Sequence, residues 1–250
     1  MNKPDPKNQC VVPRHLAIIM DGNHRWARQN GLPSDEGHRY GAKNVRPIAE
    51  NCADAGVKYL TFFAFSTENW NRPKAEIDLL FSLVSETIDR ELQTLHERDA
   101  KVRFIGDRSA FPKRLQKHMR DCEEQTRENK SLFLNIAMNY GGRWDVVNAA
   151  RLFLEEVVAN GEEVTDLTES SFKNYLATSI APEPELCIRT GGDQRVSNFL
   201  LWDLSYTELY FTQTYWPDFS ADHLQEAFLD FTRRQRRFGA RQPTLSEESH

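Results

Sequence analysis

"HLAIIMDGNHRWARQNG", residues 15 to 31, is the stretch that decides how this chain is read. Five largely apolar residues, Leu16 to Met20, run directly into Asp21, Gly22 and Asn23, and then into His24 and Arg25. A short apolar run bounded by turn residues predicts a buried strand. So abrupt a change of polarity predicts a strand that ends at a chemical site; the alternative is an ordinary polar turn at the surface.

The pattern recurs along the chain. Further strands are predicted at Val57 to Phe65, Val102 to Ile105, Leu132 to Met138, Leu186 to Arg189 and Glu208 to Phe211. Between them lie helical periodicities. Val45, Ile48, Ala49 and Cys52 fall at i, i+3, i+4, i+7, with a start or kink expected at Pro47. Residues 111 to 128 and 142 to 160 also read as helices, and Leu224, Ala227, Phe228 and Phe231 mark a last one ending near Gly239. Alternation of this kind predicts an α/β fold: a single domain with a mainly parallel central sheet and helices on both faces. Ligands of such sheets bind beyond the carboxyl ends of the strands. Segments 21–38, 66–76 and 189–198, each polar and each following an apolar run, are therefore expected on one rim. The segment from Lys74 to Asp99 stands apart. Ile77, Leu80, Phe81, Val84, Ile88, Leu92 and Leu95 form a stripe that Leu79 and Leu83 widen beyond the usual core-facing arc. It is either a helix packed on two sides or one that lines an apolar cavity.

Composition narrows the class. The 250 residues suit one sizeable core, and a formal net charge of −5 gives no nucleic-acid footprint. Cys10, Cys52, Cys122 and Cys187 make no C-x-x-C pair, so neither a zinc knuckle nor a dithiol redox site is indicated, and a reducing cytoplasm fits best. No apolar stretch reaches the roughly 20 residues of a membrane span. The expected organisation is a loose arm over residues 1–13, one domain over 14–239 and a loose tail over 240–250.

Each rim segment carries candidate chemistry beside a plainer reading. After Asp21, Gly22 lets a ligand approach the backbone, a following helix would favour an anion, and Arg25 offers a fork for phosphate oxygens. Asp21 opposes an anion unless a cation lies between them, as magnesium does in many phosphate sites; the plainer reading makes Asp21 a helix cap. In "AFSTENWNRP", residues 64–73, Ser66, Asn69 and Arg72 are either a site or good turn chemistry, and Trp70 is a candidate lid. In "CIRTGGDQRVSNF", residues 187–199, Arg189, Arg195 and Ser197 around Gly191-Gly192 either grip a diphosphate or form a solvated turn. Glu208 sits in an aromatic stretch, as a salt-bridge partner or as a metal ligand shared with Asp21. The arginines at 233, 234, 236 and 237 read as compensation for a helix dipole. No G-x-x-x-x-G-K-[ST], G-x-G-x-x-G, H-E-x-x-H or G-x-S-x-G occurs.

Taken together, "HLAIIMDGNHRWA", "GHRYGAKN", "TFFAFSTENWNRP", "NIAMNYGGRWD", "LCIRTGGDQRVSNFLLW" and "TELYFTQTYWPDF" resemble the cis-prenyltransferase family, in one order from about His15 to Gly239. The resemblance implies that isopentenyl diphosphate is condensed repeatedly onto an allylic diphosphate, usually farnesyl diphosphate, with cis geometry. The bacterial-type match implies an eleven-unit product, undecaprenyl diphosphate, the lipid-carrier precursor for cell-wall glycan. It also implies an apolar tunnel for the product, with the Lys74 helix as one wall. Asp21 then matches the essential aspartate that works with Mg2+, and Glu208 a second carboxylate holding the metal. Gly22, Asn23, Arg25 and His38 match the allylic diphosphate site, where His24, Trp26 and Ser34 are also expected to bind substrate. Arg189, Arg195 and Ser197 match the isopentenyl diphosphate site, and Ser66, Asn69, Trp70, Arg72 and Glu76 the catalytic loop. Arg237-Phe238-Gly239 resembles a C-terminal Arg-x-Gly that reaches a partner's active site, which implies a homodimer. A cytoplasmic enzyme, peripheral at the inner membrane surface where its product is delivered, completes the expectation. Three positions depart from the commonest bacterial pattern: His24 for glycine, Ser34 for arginine and Gln194 for histidine. Two other classes stay open, a non-catalytic partner subunit and a generic phosphate-binding module. The complete Asp21, Arg189, Arg195 and Ser197 set argues against the first.

Overall fold

The computed structural model describes residues 10–161, 164 and 167–234. Six strands form one sheet: β1 (His15–Ile19), β2 (Tyr59–Ser66), β3 (Ala100–Ile105), β4 (Leu132–Tyr140), β5 (Leu186–Arg189) and β6 (Glu208–Phe211). The order is β3-β4-β2-β1-β5-β6, and every neighbouring pair is parallel. β5 and β6 fall where the sequence predicts them. Seven helices connect and cover the strands: α1 (Asn23–Gln29), α2 (Ser34–Ala55), α3 (Lys74–Glu97), α4 (Lys113–Gln125), α5 (Gly142–Asn160), α6 (Glu169–Lys173) and α7 (Ala221–Arg233).

Alternation along β1 separates two layers. Leu16 and Ile18 enter the larger core, where they meet Ile48 and Cys52 of α2, Phe81 and Ile88 of α3, Met119 of α4 and Phe228 of α7. Ala17 and Ile19 face the other way, toward Tyr140, Cys187, Phe199 and Leu200. Leu16, Ile18, Leu60 and Phe62 are wholly buried, each contributing roughly 1.5–3 kcal/mol relative to exposure. Helices therefore lie on both faces of a parallel sheet, as expected.

Two helix expectations fail. α2 does not start at Pro47; it begins at Ser34 and continues past it to Ala55. Pro47 and Lys43 lie on its exposed side, so the carbonyl left without a proline N–H donor faces water, which reduces the usual cost. α7 ends at Arg233 rather than near Gly239. Arg234 leaves the helix with ψ 135°, and its guanidinium bonds Asp230, Glu208 and the Leu209 carbonyl. Arg236, the Arg237-Phe238-Gly239 segment, the tail and residues 1–9 of the arm lie outside the described residues.

The connections place the site. β1 leads toward β2 on one side, whereas β5 leads to β6 on the other. The order reverses between β1 and β5, and beyond their carboxyl ends lies the crevice where sheets of this kind take ligands. Register irregularities between Phe63, Phe65 and Ser66 bend the end of β2 beside the same crevice.

Candidate active site

The crevice is built around two carboxylates laced to three arginines. Asp21 accepts from Arg189 Nη2 at 2.8 Å and pairs with Arg25 Nη2 at 3.0 Å. Asp193 Oδ2 lies 2.8 Å from Arg195 Nη2, 3.4 Å from Arg189 Nη2 and 3.5 Å from Arg25 Nη2. Arg189 is 5% exposed, and its Nη1 donates to Ser197 Oγ at 2.7 Å and to the Arg195 carbonyl. Thr190 locks the two strand ends together: its hydroxyl donates to the Asp21 carbonyl at 2.7 Å and accepts from the Asp21 N–H at 2.9 Å. Burial pushes the Asp21 carboxyl upward, but the hydrogen bond from Arg189 and the charges of Arg25 and Arg189 outweigh it, so the group lies below its ordinary value and is ionised at neutral pH.

Two glycines are required here. Gly22 has φ 107°, and a Cβ there would fall 2.6 Å from the Tyr215 ring. Gly191 has φ 87°, and its Cβ would meet Arg25 Nη2 at 2.9 Å and the Asp21 carbonyl at 3.0 Å. Gly22 is also the N-cap of α1 with no side-chain cap, so the plainer reading of Asp21 as a helix cap is set aside.

The third wall is a 3₁₀ turn, Thr67–Asn71, that follows β2. Asn69 closes it by accepting from the Ser66 N–H at 3.0 Å. Glu76, in the first turn of α3, takes Arg72 at 3.0 Å and His38 Nε2 at 3.1 Å, joining α2, α3 and the turn. Burial lowers the His38 pKa most, with Glu76 opposing it.

Below this polar mouth opens one cavity of about 1020 Å³. Asp21, Gly22, Asn23, His24, Arg25, His38, Ser66, Asn69, Arg72, Glu76, Arg189, Arg195 and Ser197 line its mouth. Ala42, Val45 and Ala49 of α2, Leu80, Leu83, Val84, Ile88 and Leu95 of α3, and Val102, Leu134, Ile136 and Met138 of the sheet line its body. The wide stripe on α3 is thus explained by a cavity wall. Deep in the cavity Glu91, 7% exposed, is paired with Arg46 of α2 and with Arg90.

A mouth of arginines and carboxylates continuous with an apolar channel is the feature the comparisons bear on. A prenyltransferase family model, described as undecaprenyl diphosphate synthase, matches residues 19–239. The chain belongs to this family. A ditrans,polycis-undecaprenyl-diphosphate synthase, (2E,6E)-farnesyl-diphosphate specific, from Pseudomonas syringae pv. tomato is 50% identical over 96% of this chain and 95% of its own. An isoprenyl transferase from Clostridium perfringens is 45% identical over 91% and 90%. Lavandulyl diphosphate synthase from Lavandula x intermedia, solved with dimethylallyl diphosphate, superposes with TM-score 0.89 at 37% identity, covering 91% of this chain and 98% of that one. A probable undecaprenyl diphosphate synthase from Campylobacter jejuni gives TM-score 0.76 at 32% identity, over 92% and 99%.

Most residues expected to act in this prenyltransferase converge on the mouth, but four do not. Glu208 opens β6 opposite Leu186, which pairs with Leu16. It therefore lies level with a residue five positions before Asp21, about 16 Å away along the strand direction. Its carboxylate bonds Arg234 at 2.9 Å. One chain cannot place Glu208 and Asp21 on one metal ion, because parallel pairing sends them to opposite edges of the sheet. Trp70, expected as a lid, is not at the mouth. Its Nε1 donates to Asn139 Oδ1 at 2.8 Å, and its ring packs among Phe65, Phe81 and Phe111. It anchors the turn from behind. Trp26 is buried under α1 against Tyr40, and Ser34 meets the site only through His24, whose Nδ1 lies 2.6 Å from Ser34 Oγ. Those two departures from the commonest pattern thus touch each other.

Asp193 and Glu68 are the residues that sequence reasoning missed. Asp193 reads as an ordinary turn residue in "TGGDQR"; its signal was the two glycines before it, which fold it back onto the arginines.

Proposed function

We propose that this chain condenses isopentenyl diphosphate repeatedly onto farnesyl diphosphate with cis geometry, building undecaprenyl diphosphate, the lipid-carrier precursor for cell-wall glycan. The observation that carries the reading is the union of one charged mouth with one apolar channel of about 1020 Å³. A diphosphate head and a growing hydrocarbon tail need those two environments in contact, and each CH₂ buried contributes about 0.8 kcal/mol.

The arginines divide the work. Arg25 and the Gly22–Asn23 backbone are placed to receive the allylic diphosphate, with His38 and Arg72 behind it. Arg189, Arg195 and Ser197 hold the isopentenyl diphosphate, so that its double bond faces the carbon that loses diphosphate. The C–O bond of the allylic substrate breaks, the new C–C bond forms, and a proton leaves the extended chain. Positioning two substrates in one crevice supplies much of the rate. The arginine–carboxylate lattice keeps its charges oriented before substrate arrives, which is the condition for electrostatic stabilisation of a departing anion. Ser66 and Asn69 line the cavity mouth from the turn after β2, while Trp70 fixes that turn in place.

Asp21 suits magnesium. Its carboxylate is ionised at the mouth, and magnesium commonly relies on one or two carboxylates plus substrate phosphates rather than a full protein cage. Among the described residues no cluster of three His, Cys, Asp or Glu side chains exists to form such a cage. When bound, the ion neutralises charge on the leaving diphosphate.

A homodimer is part of the proposal. Val147, Leu154 and Val158 are exposed at 70%, 49% and 81% along one side of α5, an apolar stripe that a second copy would cover. Among the described residues no helix is long and apolar enough to cross a membrane; a cytoplasmic enzyme whose product passes to the membrane surface is part of the same proposal.

The test is incorporation of radiolabelled isopentenyl diphosphate by the purified chain alone, with farnesyl diphosphate, with magnesium or a chelator. Magnesium-dependent formation of a product of eleven isoprene units is expected. A folded chain that incorporates no label would overturn the reading.

A further inference from the structure

The segment after the clamp is strained. Ser197, Asn198 and Leu200 have φ of 48°, 63° and 43°, a left-handed backbone that costs roughly 1–3 kcal/mol per non-glycine residue and persists only where neighbours over-determine it. Asparagine adopts it most readily. Three hydrogen bonds hold Asn198 there. Its carbonyl accepts the Gly142 N–H at 2.6 Å, its Oδ1 accepts the Arg143 N–H at 2.9 Å, and its Nδ2 donates to Glu68 Oε1 at 2.7 Å. The first two satisfy free N–H groups at the start of α5. The fit leaves no slack: a Cβ on Gly141 would lie 2.6 Å from Asn198 Nδ2 and 2.6 Å from Thr67 Oγ1.

The two sides of this junction do different chemistry. Ser197, the preceding residue, bonds Arg189 of the clamp. Glu68 belongs to the same 3₁₀ turn as Asn69. Among the described residues, Asn198 to Glu68 is the only hydrogen bond between segments 189–198 and 66–76. It is charge-assisted: burial works to raise the Glu68 carboxyl, yet the Asn198 bond leads the contacts that bring it below its ordinary value.

We infer that Asn198 is a positioning residue that couples the clamp for isopentenyl diphosphate to the turn carrying Ser66 and Asn69, so that filling the clamp orders the turn for reaction. This rests on the prenyl-transfer reading above. Asn198 and Glu68 both line the cavity mouth, and in this proposal Asn198 acts through Glu68 rather than on the substrate.

The experiment is a double-mutant cycle with the full chain. Asn198→Gly keeps the left-handed backbone and deletes the link together with the Oδ1 bond to the Arg143 N–H, and Glu68→Ala deletes the link from the other side while leaving that bond in place. Each single variant is expected to lose about 10–100-fold in kcat/KM for isopentenyl diphosphate, the scale of one charged hydrogen bond. Binding of non-reacting farnesyl thiodiphosphate without isopentenyl diphosphate stays within about twofold, as expected for a link outside the allylic site. The double variant is no worse than the worse single one, and Glu68→Gln, whose amide oxygen still accepts, recovers most of the loss. Wild-type kcat/KM in Asn198→Gly, independent losses that multiply, or equal weakening toward both diphosphates would each overturn the coupling. Should the unmodified chain incorporate no isopentenyl diphosphate, the underlying reading fails; should it do so and Asn198→Gly match it, only the coupling fails.

Discussion

The two edges of the sheet treat buried carboxylates in opposite ways. At the carboxyl edge Asp21 is partly buried, yet it lies below its ordinary pKa because Arg189 and Arg25 reach it. Toward the amino edge Asp203, 3% exposed, shares the lining of a small, mainly apolar pocket with His15, Thr61, Asn135 and Thr178. No arginine or lysine forms an ion pair with it among the described residues, and burial pushes its pKa up to about 6. Both aspartates have lost water; Asp21 has two arginines in contact, whereas Asp203 has only the charge of Lys173, outside ion-pair distance. Depth and partners together set how readily each carboxylate takes up a proton as the pH falls: Asp203, deeper and without an ion-pair partner, does so first. The channel starts at the edge where arginines hold the carboxylates.

The largest expected effect breaks the carboxyl edge. Asp21→Ala removes the group that unites Arg189 and Arg25 and stands ready for the metal. Turnover of farnesyl diphosphate with isopentenyl diphosphate is expected to fall by about 10³-fold or more, with the circular dichroism of the folded chain retained. Near-normal turnover would show that the lattice, with Asp193 alone, suffices. Next in size is Arg189→Lys. A lysine keeps the charge but not the fork that serves Asp21 and Ser197 together, so KM for isopentenyl diphosphate is expected to rise roughly 10–100-fold; an unchanged KM would place that substrate elsewhere.

The channel joins the two edges, and its length sharpens the comparison. Val84 lines its body from α3. Val84→Trp fills space there, and each carbon denied burial forfeits about 0.8 kcal/mol per CH₂. Chromatography of the products is expected to show chains shorter by at least one isoprene unit, with initial condensation little affected. Products of unchanged length would separate this cavity from the product's path.

How far the sequence carried the reading differs between the same two edges. Strand ends were legible because an apolar run that stops at Asp21, at Ser66 or at Arg189 announces both the strand and the chemistry beyond it. The three rim segments come together for that reason. The amino edge was misread. A strand starting at Glu208 in a parallel sheet already puts it at the far edge from Asp21, so the shared-metal expectation for Glu208 conflicted with the predicted fold, and the register settles the conflict. Pro47 misled because its exposed position was invisible in the one-dimensional pattern. Trp70 read as a lid because its partners, Phe81, Phe111 and Asn139, come from three distant segments. Glu91 had no signal either, since its place amid an apolar stripe is resolved only by Arg46 from another helix.

The smallest effect tests the amino edge itself. His15, 3% exposed, bonds Thr61 Oγ1 at 2.8 Å and the Pro182 carbonyl, and burial lowers its pKa to about 4. Between pH 6.5 and 4 the unfolded chain therefore binds a proton at His15 that the folded chain refuses, and stability falls with pH. Asp203 has the opposite sign. Its folded pKa of about 6 exceeds the ordinary 3.8 of an aspartate, so over nearly the same window the folded chain binds the extra proton and gains stability. Each contribution is at most roughly 3 kcal/mol, and together they leave the unmodified protein's stability nearly flat across the window. Asp203→Asn removes one side of that balance. The variant is expected to match or exceed the parent in melting temperature at pH 7.5, where the buried charge is gone, and to fall behind it by several degrees at pH 4.5, where only His15 still acts. Parallel melting curves for the two proteins from pH 7.5 to 4.5 would show that the amino edge carries no such pair of opposed titrations.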